Sequence, residues 1–336
     1  MIKIGFNTPL LDVRGTCVSL YDYAHYNEVH LGNVSVVLTP KDADHDDMAY
    51  RKFSNRFNVV MYSDLADMDR LLQEHGCDIL YSIKYGKNDG ILSKVVKNAV
   101  HCVFDLSEPH GDAYAAVSST LAAKFGHPDH VPHMVGLRPS RLRDNMRKQL
   151  GIPEDARVFG RHGGRDTFDL DVAKNAIKRA VRDHSDIYFL FVNTPVFDSH
   201  PRILFMDKIV DMDEKNRFIC SCDAMIHAQS LGETFGLSIG EFSVNNKPIV
   251  TYGGPVWNDN YKKILKDGAI YYHDEEECYQ AITLFRPEDH ANNDNNCYRD
   301  FTPEKVMRIF RDVFIIPLVG TQLPAVSNTR TQTVGT

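Results

Sequence analysis

Residues Ala224 to Gly254 read AMIHAQSLGETFGLSIGEFSVNNKPIVTYGG. The apolar run Ala224 to Ile226 predicts the end of a buried strand, and a small-residue loop containing a glycine follows it. Glu233 to Ser238 then leads into a helix-like run that carries a second acid, Glu241. A new strand is predicted at Pro248 to Tyr252. Together these elements form a βαβ unit, and its loop lies at the carboxyl ends of the strands, where such sheets bind ligands.

The composition is that of a globular protein with room for two domains. At 336 residues the chain is long for one core, and its 43% hydrophobic and 25% charged residues are ordinary for a soluble enzyme. The net charge of −7 argues against a nucleic-acid partner with a broad contact surface. Seven scattered cysteines, an odd number, indicate reduced thiols and a cytoplasmic protein. No apolar run reaches the roughly 20 residues that cross a bilayer, which leaves only peripheral membrane contact open.

Short apolar strands alternate with helical patterns in the first part of the chain. Strands are predicted at Ile2–Phe6, Val34–Leu38, Val59–Tyr62, Ile79–Ile83, Val100–Phe104 and Ala113–Val117. Helices are predicted at Thr16–His30, where Thr16 is the expected cap, and at Asp64–His75, Ile91–Asn98 and Ser118–Phe125. This alternation predicts a mostly parallel sheet with helices on both faces.

The alternation stops between Gly126 and Gly151, where prolines and arginines accumulate, and we interpret this stretch as the entry to a second domain with a short basic helix after Pro139. A second series follows. Its strands are predicted at Arg157–Phe159, Ile187–Val192, Ile203–Ile209 and Ala269–Tyr272, and its helices at Asp171–Arg182, Glu214–Cys222, Glu275–Leu284 and Pro303–Phe314.

The sequence therefore predicts an α/β protein with two facing Rossmann-like domains and a cleft between them. The first domain is expected at residues 1–138 and the second at residues 151–302. The final helix, at residues 303–316, is expected to pack back on the first domain, and the polar tail at 321–336 is expected to be mobile.

Glu233 and Glu241 flank the predicted start of a helix, where free N–H groups near Phe235 to Ser238 would bind an anion. Gly236 would let a phosphate approach the backbone closely. Two carboxylates beside a phosphate would repel it, so they are expected to accept hydrogen bonds from neutral hydroxyls instead, such as those of sugars and riboses. The alternative, a capping Glu233 and a solvated Glu241, stays open at this point.

A loop rich in glycine and arginine, Gly160-Arg161-His162-Gly163-Gly164-Arg165, follows a predicted strand in the same half of the chain. Two arginines four residues apart suit the charges of a diphosphate. A mobile basic loop without a ligand is the alternative. The sequence has no Gly-x-Gly-x-x-Gly fingerprint in its first turn and no Walker phosphate loop.

In this combination the chain resembles the retaining, nucleotide-sugar-dependent glycosyltransferases of family 4, which have the GT-B architecture. In the second half the matching segments are Gly160-Arg161 with Arg165, Glu233 to Leu237 with Glu241, Lys247 to Thr251, Gly253-Gly254 and Asp267 to Tyr272. In the first half they are Gly15-Thr16, Phe104 to His110, Val117-Ser118 and Val131 to Gly136.

The resemblance implies a role for each matching position. Glu233 would bind hydroxyls of the donor sugar, Glu241 would bind the ribose, and Arg161 and Arg165 would stabilise the diphosphate leaving group. His110 would contact the sugar or lie near the reacting centre. The remaining donor-binding positions implied are Gly15, Gly160, Thr234, Phe235, Gly236 and Leu237.

The sequence departs from the family pattern at two positions. The family usually has lysine where Arg165 stands, and this keeps the charge but changes its geometry. Before Glu233 the commoner Pro-Ser is replaced by a segment that begins at His227. His227 is interpreted as either a core histidine or a residue that changes donor choice.

No metal and no cofactor are expected, because arginines and helix N-termini replace the cation in this interpretation. Two acidic segments, Asp42 to Asp47 and Asp211 to Asp213, contain Asp-x-Asp patterns. Each is interpreted as a solvated loop or a helix start rather than a metal site. Cys220 and Cys222 form neither a zinc half-site nor a redox pair in this interpretation.

The resemblance thus implies a metal-independent, retaining hexosyltransferase that takes a UDP- or GDP-linked sugar and transfers it to a glycan, lipid or protein. Two alternatives are a nucleotide-sugar epimerase of the same architecture and a non-catalytic homologue that binds nucleotide or glycan.

Overall fold

The computed structural model describes residues 1–139 and 144–320. The first unit of the fold contains one six-stranded sheet and four helices. Its strands are β1 (Lys3–Asn7), β2 (Val34–Pro40), β3 (Asn58–Tyr62), β4 (Ile79–Lys84), β5 (Lys97–Cys102) and β6 (Ala113–Ala116). Its helices are α1 (Gly15–Leu31), α2 (Asp47–Ser54), α3 (Leu65–Glu74) and α4 (Ser119–Lys124).

The second unit has a second six-stranded sheet. Its strands are β7 (Arg157–Arg161), β8 (Ile187–Val192), β9 (Ile203–Met206), β10 (Ala224–His227), β11 (Ile249–Tyr252) and β12 (Ala269–Tyr272). Its helices are α5 (Asp171–Asp183), α6 (Met212–Ser221), α7 (Leu237–Val244), α8 (Asn260–Leu265), α9 (Glu275–Thr283) and α10 (Pro287–His290). The described part of the chain ends with α11 (Pro303–Phe310), a π-helical turn at Arg311–Ile315 and α12 (Ile316–Val319).

Both sheets have the same topology. The first has the order β3-β2-β1-β4-β5-β6 and the second has the order β12-β11-β10-β7-β8-β9, with every pair of neighbours parallel. Each is the Rossmann strand order, in which the chain reverses direction across the sheet between the first strand and the fourth. The prediction of two Rossmann-like units is confirmed.

Strands in the middle of each sheet are covered on both faces. β4 is buried at all of its positions, and β8, with the sequence IYFLFV, is buried at all but Tyr188. Continuous apolar runs of this kind are typical of parallel sheets with a layer of helices on each side. The strands are therefore rigid supports for the loops that follow them.

The last helices of the chain pack on the first unit. The ring of Phe310 in α11 lies 5.1 Å from the rings of both Tyr23 and Tyr81. Phe314, in the π-helical turn, packs 5.3 Å from His101. These last described helices therefore cross from the second unit to cover the first.

Direct contacts also join the two units beside the cleft. Thr120 Oγ1 donates to Asn260 Oδ1 at 2.9 Å, and Lys208 forms an ion pair with Asp46. The ammonium of Lys124 lies 2.9 Å from the centre of the Trp257 ring. These contacts hold the carboxyl edges of the two sheets opposite each other.

One helix prediction and one cap prediction were wrong. Ile91–Asn98 is not a helix: Ser93 Oγ accepts hydrogen bonds from the backbone of Val95 and Val96, and Asn98 Oδ1 accepts one from the backbone of Ser93. Such local side-chain bonds compete with helix formation. Thr16 does not cap α1, which begins at Gly15 and has no side-chain cap.

Several other segments also differ from the sequence predictions or lie outside the described residues. The short helices α2, α8 and α10 were not predicted, and the strand placed at Val100–Phe104 begins earlier, at Lys97. The basic helix predicted after Pro139 includes Arg141 and Arg143, which lie outside the described residues, as does the tail at 321–336.

Candidate active site

A cleft of about 730 Å³ lies between the two units. One wall is formed by the loop after β1 and by residues at the end of β4, and the other by the loops after β7 and β10. These are the carboxyl ends of the strands at both topological switch points, where open α/β sheets bind ligands. The volume is within the range of pockets for small molecules and cofactors.

Two helices begin in this cleft. α1 starts at Gly15 and α7 at Leu237, and no side chain caps either helix. A β-carbon added to Gly15 would lie 3.5 Å from Leu237 Cδ1, so the two helix starts are in van der Waals proximity. The first N–H groups of a helix lack partners within it, and the helix dipole gives this end a partial positive charge. The cleft therefore has two positive helix ends directed at one space.

Gly236 makes the second helix start possible. Its φ of 83° lies in the left-handed region, which residues with a β-carbon adopt at a cost. An added β-carbon would lie 3.1 Å from Ile239 Cδ1 and 3.2 Å from the Tyr298 hydroxyl. That hydroxyl donates to the Phe235 carbonyl at 2.6 Å and fixes the turn from the other side.

Glu241 is buried beneath the start of α7 and has two partners. Lys215 Nζ donates to its Oε1 at 2.8 Å, and His162 Nε2 lies 3.1 Å from its Oε2. Burial alone would raise the pKa of Glu241, but the charge of Lys215 and the contact with His162 bring it down to about 2. Burial lowers the pKa of His162, so Lys215 is the principal counter-charge. Glu241 is therefore an ionised acceptor held in one place.

Charges from the first unit face this pair. Burial raises the pKa of Asp22, on α1, to about 7, and the negative charge of Glu241 adds to this shift. Burial also lowers the pKa of Lys52, on α2, and the nearby Lys215 adds to the shift. Sequence reasoning missed Lys215, Lys52 and Asp22, because the position of a charged residue along the chain carries no signal of partners on distant elements.

Glu233 lies in the loop after β10 with its carboxylate at the cleft. Its Oε1 is 3.6 Å from His227 Nε2, and its backbone N–H donates to the Asn258 carbonyl at 2.9 Å. His227 is buried at the end of β10, with Nδ1 2.9 Å from Thr251 Oγ1. His227 is thus a core residue that also lies beside Glu233.

Arg161, the last residue of β7, lies behind the cleft and does not line it. Its side chain donates to the carbonyls of Val192, Asn193 and Gly164, and to the hydroxyls of Thr194 and Thr167. Only 3% of Arg161 is exposed, and burial lowers its pKa to about 10. The structure therefore places this guanidinium inside the loop after β7, which it holds together.

Arg165 lies in that same loop, is exposed and lines the cleft. It forms no ion pair and no hydrogen bond with the residues that the structure describes. His162, Gly163 and Gly164 line the cleft beside it. Of the two predicted arginines, Arg165 is the one available to a ligand.

Thr234, Phe235 and Leu237 line the cleft with Glu233. Gly160 and His110 do not. A β-carbon at Gly160 would lie 2.2 Å from Cys222 Sγ, so this glycine is required by packing.

His110 is buried in the loop before β6. Its Nδ1 lies 2.7 Å from the Glu108 carbonyl, and its ring packs 5.4 Å from that of Tyr114. Its Nε2 has no hydrogen-bond partner among the described residues. A contact between His110 and the donor sugar stays a prediction.

The two acidic segments, Asp42 to Asp47 and Asp211 to Asp213, lead into helices, in agreement with the interpretation of each as a helix start. Asp46 Oδ1 accepts from the N–H groups of Met48 and Ala49 at the start of α2, and Asp211 Oδ1 accepts from Glu214 at the start of α6. Across the described ranges, no group of three or more His, Cys, Asp or Glu side chains is placed to hold a metal ion. Nor does any helix in those ranges have the length and apolar character needed to span a bilayer.

Comparison with known proteins gives structural matches only. No protein-family model and no curated protein sequence matches the chain. The fold is similar to that of Anabaena HepE in complex with UDP-glucose, with a TM-score of 0.71 and 14% identity over 93% of this chain and 99% of that one. A glycosyltransferase from Rickettsia africae matches with a TM-score of 0.69 and 12% identity, over 95% and 99% of the two chains. A sucrose-phosphate synthase from Thermosynechococcus elongatus matches with a TM-score of 0.60 and 10% identity, over 94% and 95%.

These likenesses extend over nearly the whole of each chain and include both Rossmann-like units. The chain therefore has the GT-B fold of these proteins. At such low identity they establish the architecture, and the chemistry must be argued from the cleft itself.

Proposed function

We propose that this chain is a glycosyltransferase that uses a nucleoside-diphosphate sugar as donor. The observation that carries the proposal is the meeting of two uncapped helix starts, at Gly15 and Leu237, with Arg165, which has no partner among the described residues, in one cleft. Helix N-termini and arginine are the usual protein partners of phosphate groups. The structure of Anabaena HepE, which has the same fold, contains UDP-glucose, and this supports the same ligand class here.

The diphosphate lies between the two helix starts, with Arg165 neutralising charge on the leaving group. Glu233 accepts hydrogen bonds from hydroxyls of the donor sugar, and its neighbour His227 limits the positions that its carboxylate can take. Glu241 accepts hydrogen bonds from the ribose, since its pKa of about 2 keeps it ionised at neutral pH. Arg161 acts indirectly, because its hydrogen bonds hold the loop that carries Arg165.

The reaction proceeds with retention by attack on the front face of the sugar. The bond from the anomeric carbon to the diphosphate oxygen breaks, and a bond from that carbon to the acceptor oxygen forms on the same face. The proton of the acceptor hydroxyl passes to the departing phosphate oxygen. A double displacement would need a carboxylate on the far face of the sugar. We assign no residue to that role.

We also propose that the enzyme works without a metal. Arg165 and two helix starts supply positive charge where the diphosphate would lie, which is the task that a bound cation performs in other glycosyltransferases. The direct test is turnover in the presence of EDTA, which is expected to equal turnover without it.

The test of the function is product analysis with a panel of UDP-, GDP- and ADP-linked sugars. A glycosyltransferase releases the nucleoside diphosphate from one of them, slowly to water and faster to a suitable acceptor. An epimerase would interconvert two nucleotide sugars without an acceptor. A protein that only binds would give a calorimetric signal with a nucleotide and no product from any donor and acceptor pair. Either of these two results would contradict the proposal.

A further inference from the structure

Two exposed aromatic side chains line the cleft on the wall formed by the first unit. Tyr85 follows β4 and is 63% exposed, and Phe104 follows β5 and is 36% exposed. Their rings are 5.3 Å apart and inclined by 39°. Apolar side chains that stay in contact with water forgo the free energy of burial, and a group of them inside a cleft indicates a ligand site.

This pair is held rigidly by the backbone beneath it. The Tyr85 carbonyl accepts hydrogen bonds from the N–H groups of Phe104 at 2.9 Å and Asp105 at 3.0 Å. Gly86 has a φ of 137°, and a β-carbon there would lie 1.6 Å from the Asp105 carbonyl oxygen. The Tyr114 hydroxyl donates to the Gly86 carbonyl at 3.1 Å. The two rings are therefore presented by a fixed junction between two loops.

The pair lies on the wall of the cleft opposite Arg165 and Glu233. β4 is a switch-point strand and pairs with both β1 and β5, so the residues that follow β4 and β5 lie at the carboxyl edge of the first sheet. Arg165 and Glu233 belong to the second unit and line the same cavity. A molecule resting on the two rings would therefore be in the space that the donor also reaches.

We infer that Tyr85 and Phe104 form the acceptor subsite and that the acceptor is a carbohydrate whose ring stacks on them. This inference rests on the proposed function. One face of a pyranose ring carries several C–H groups that are weakly positive, and the face of an aromatic ring is weakly negative. The two adjacent rings therefore offer a surface that suits the C–H face of a sugar.

The surroundings favour a sugar over a lipid chain. The residues next to the pair are polar or charged and exposed: Lys87, Asn88, Asp89, Ser107 and Glu108. Asp89 Oδ1 already accepts from Lys84, and Glu108 Oε2 from the Asn88 N–H, but the second oxygen of each carboxylate has no partner among the described residues and can accept from a sugar hydroxyl. An acyl chain would instead need a continuous apolar groove. The aromatic surface thus resembles small-molecule sites, with apolar contact area and a few polar groups at its edge.

Saturation-transfer difference NMR on the full chain tests the inference. The probes are maltose, cellobiose, lactose and the methyl glycosides of glucose, galactose, mannose and N-acetylglucosamine, with decanoate as the acyl-chain probe. At least one sugar is expected to bind wild type, and its affinity is expected to fall at least about fivefold in Tyr85→Ala and in Phe104→Ala. Tyr85→Phe keeps the ring and is expected to bind within twofold of wild type.

Leu284→Ala is the matched control, because Leu284 is 73% exposed, follows α9 and does not line this cleft. It is expected to leave sugar binding unchanged. The inference is overturned if no sugar of the panel binds, if sugars bind both alanine variants as well as wild type, or if decanoate alone depends on Tyr85.

Calorimetry of wild type with UDP, GDP and ADP distinguishes failure of the proposed function from failure of the acceptor assignment. If none of the nucleotides binds, the proposed function itself fails. If a nucleotide binds while sugar affinity does not depend on Tyr85 or Phe104, only the acceptor assignment fails. Thermal unfolding of each variant shows whether a lost signal reflects a lost fold.

Discussion

Gly15, the first residue of α1, lies against Leu237, the first residue of α7: a β-carbon at Gly15 would be 3.5 Å from Leu237 Cδ1. The two helices belong to different sheets, and neither has a side-chain cap. Their free N–H groups therefore meet in the cleft without a protein acceptor among the described residues. This arrangement is the basis of the proposed diphosphate site and leads to the first prediction.

Replacing Gly15 with aspartate is expected to separate stability from binding. A negative charge in the first turn of a helix stabilises it by about 0.3–1 kcal/mol, but the same charge repels a diphosphate. Gly15→Asp is therefore expected to unfold at an equal or higher temperature and to lose nucleotide binding. Gly15→Asn, which has the same size without the charge, is the control and is expected to keep most of the affinity. Equal affinity in the two variants would contradict the site.

Of the two arginines in the loop after β7, Arg161 is expected to matter for stability and Arg165 for nucleotide binding. Arg161→Ala removes hydrogen bonds from several buried acceptors, each of which costs about 1–3 kcal/mol when left unpaired. Arg165→Ala changes an exposed side chain and is expected to shift stability by less than about 0.5 kcal/mol. Urea unfolding and calorimetry with a nucleoside diphosphate are the measurements. Arg165→Ala is expected to stay folded and bind at least about tenfold more weakly, and wild-type affinity in this variant would rule out its role.

Lys215 is expected to contribute strongly to stability because Glu241 is buried against it. Removing one partner of a buried ion pair costs about 3–5 kcal/mol, since the other charge stays without compensation. Lys215→Met is therefore expected to lose stability in urea at neutral pH, and adding Glu241→Gln is expected to restore part of it. A double variant no more stable than the single one would show that the pair is not the cause.

The same pair predicts the behaviour of wild type in acid. The pKa of Glu241 is lowered from 4.5 to about 2, so its ionised form is favoured by folding. Its contribution to stability is complete above 4.5 and is lost as the pH falls toward about 2. Glu241→Gln is expected to remove this part of the acid dependence, which urea unfolding across that pH range measures.

Ionisation of Asp22 is expected to lower stability, whereas ionisation of Glu241 raises it. Its pKa is raised from 3.8 to about 7 by burial and by Glu241, so ionisation of Asp22 opposes folding. This cost is absent below 3.8 and is complete above about 7. Asp22→Asn is expected to raise the unfolding temperature above pH 7 and to leave it unchanged in acid, whereas the exposed Asp44→Asn is expected to change neither. An increase of the same size at every pH would point to packing rather than charge.

Much of the fold could be predicted from the sequence because its signals are local. Continuous apolar runs indicated the buried strands. Phe235 and Gly236, between Glu233 and Glu241, indicated the loop before α7. The failure at Ile91–Asn98 was also local in origin. Ser93 and Asn98 bond to nearby backbone groups there and prevent a helix that the spacing of apolar residues favours.

The candidate site was predicted less completely, because its contacts join distant parts of the chain. The sequence did not distinguish Arg161 from Arg165, since the direction of a side chain at the end of a strand depends on how β7 enters its loop. Lys215 meets Glu241 across two helices, and Tyr85 meets Phe104 across two strands. None of these pairs has a spacing that a periodic pattern reveals.

Isothermal titration calorimetry of wild type and Gly15→Asp with UDP, GDP and ADP shows whether a diphosphate binds between the two helix starts. One of these nucleotides is expected to bind wild type with one site per chain, and Gly15→Asp is expected to abolish this binding without loss of the fold. Absence of binding to wild type by all three, or unchanged binding to Gly15→Asp, would contradict a diphosphate site between the two helix starts.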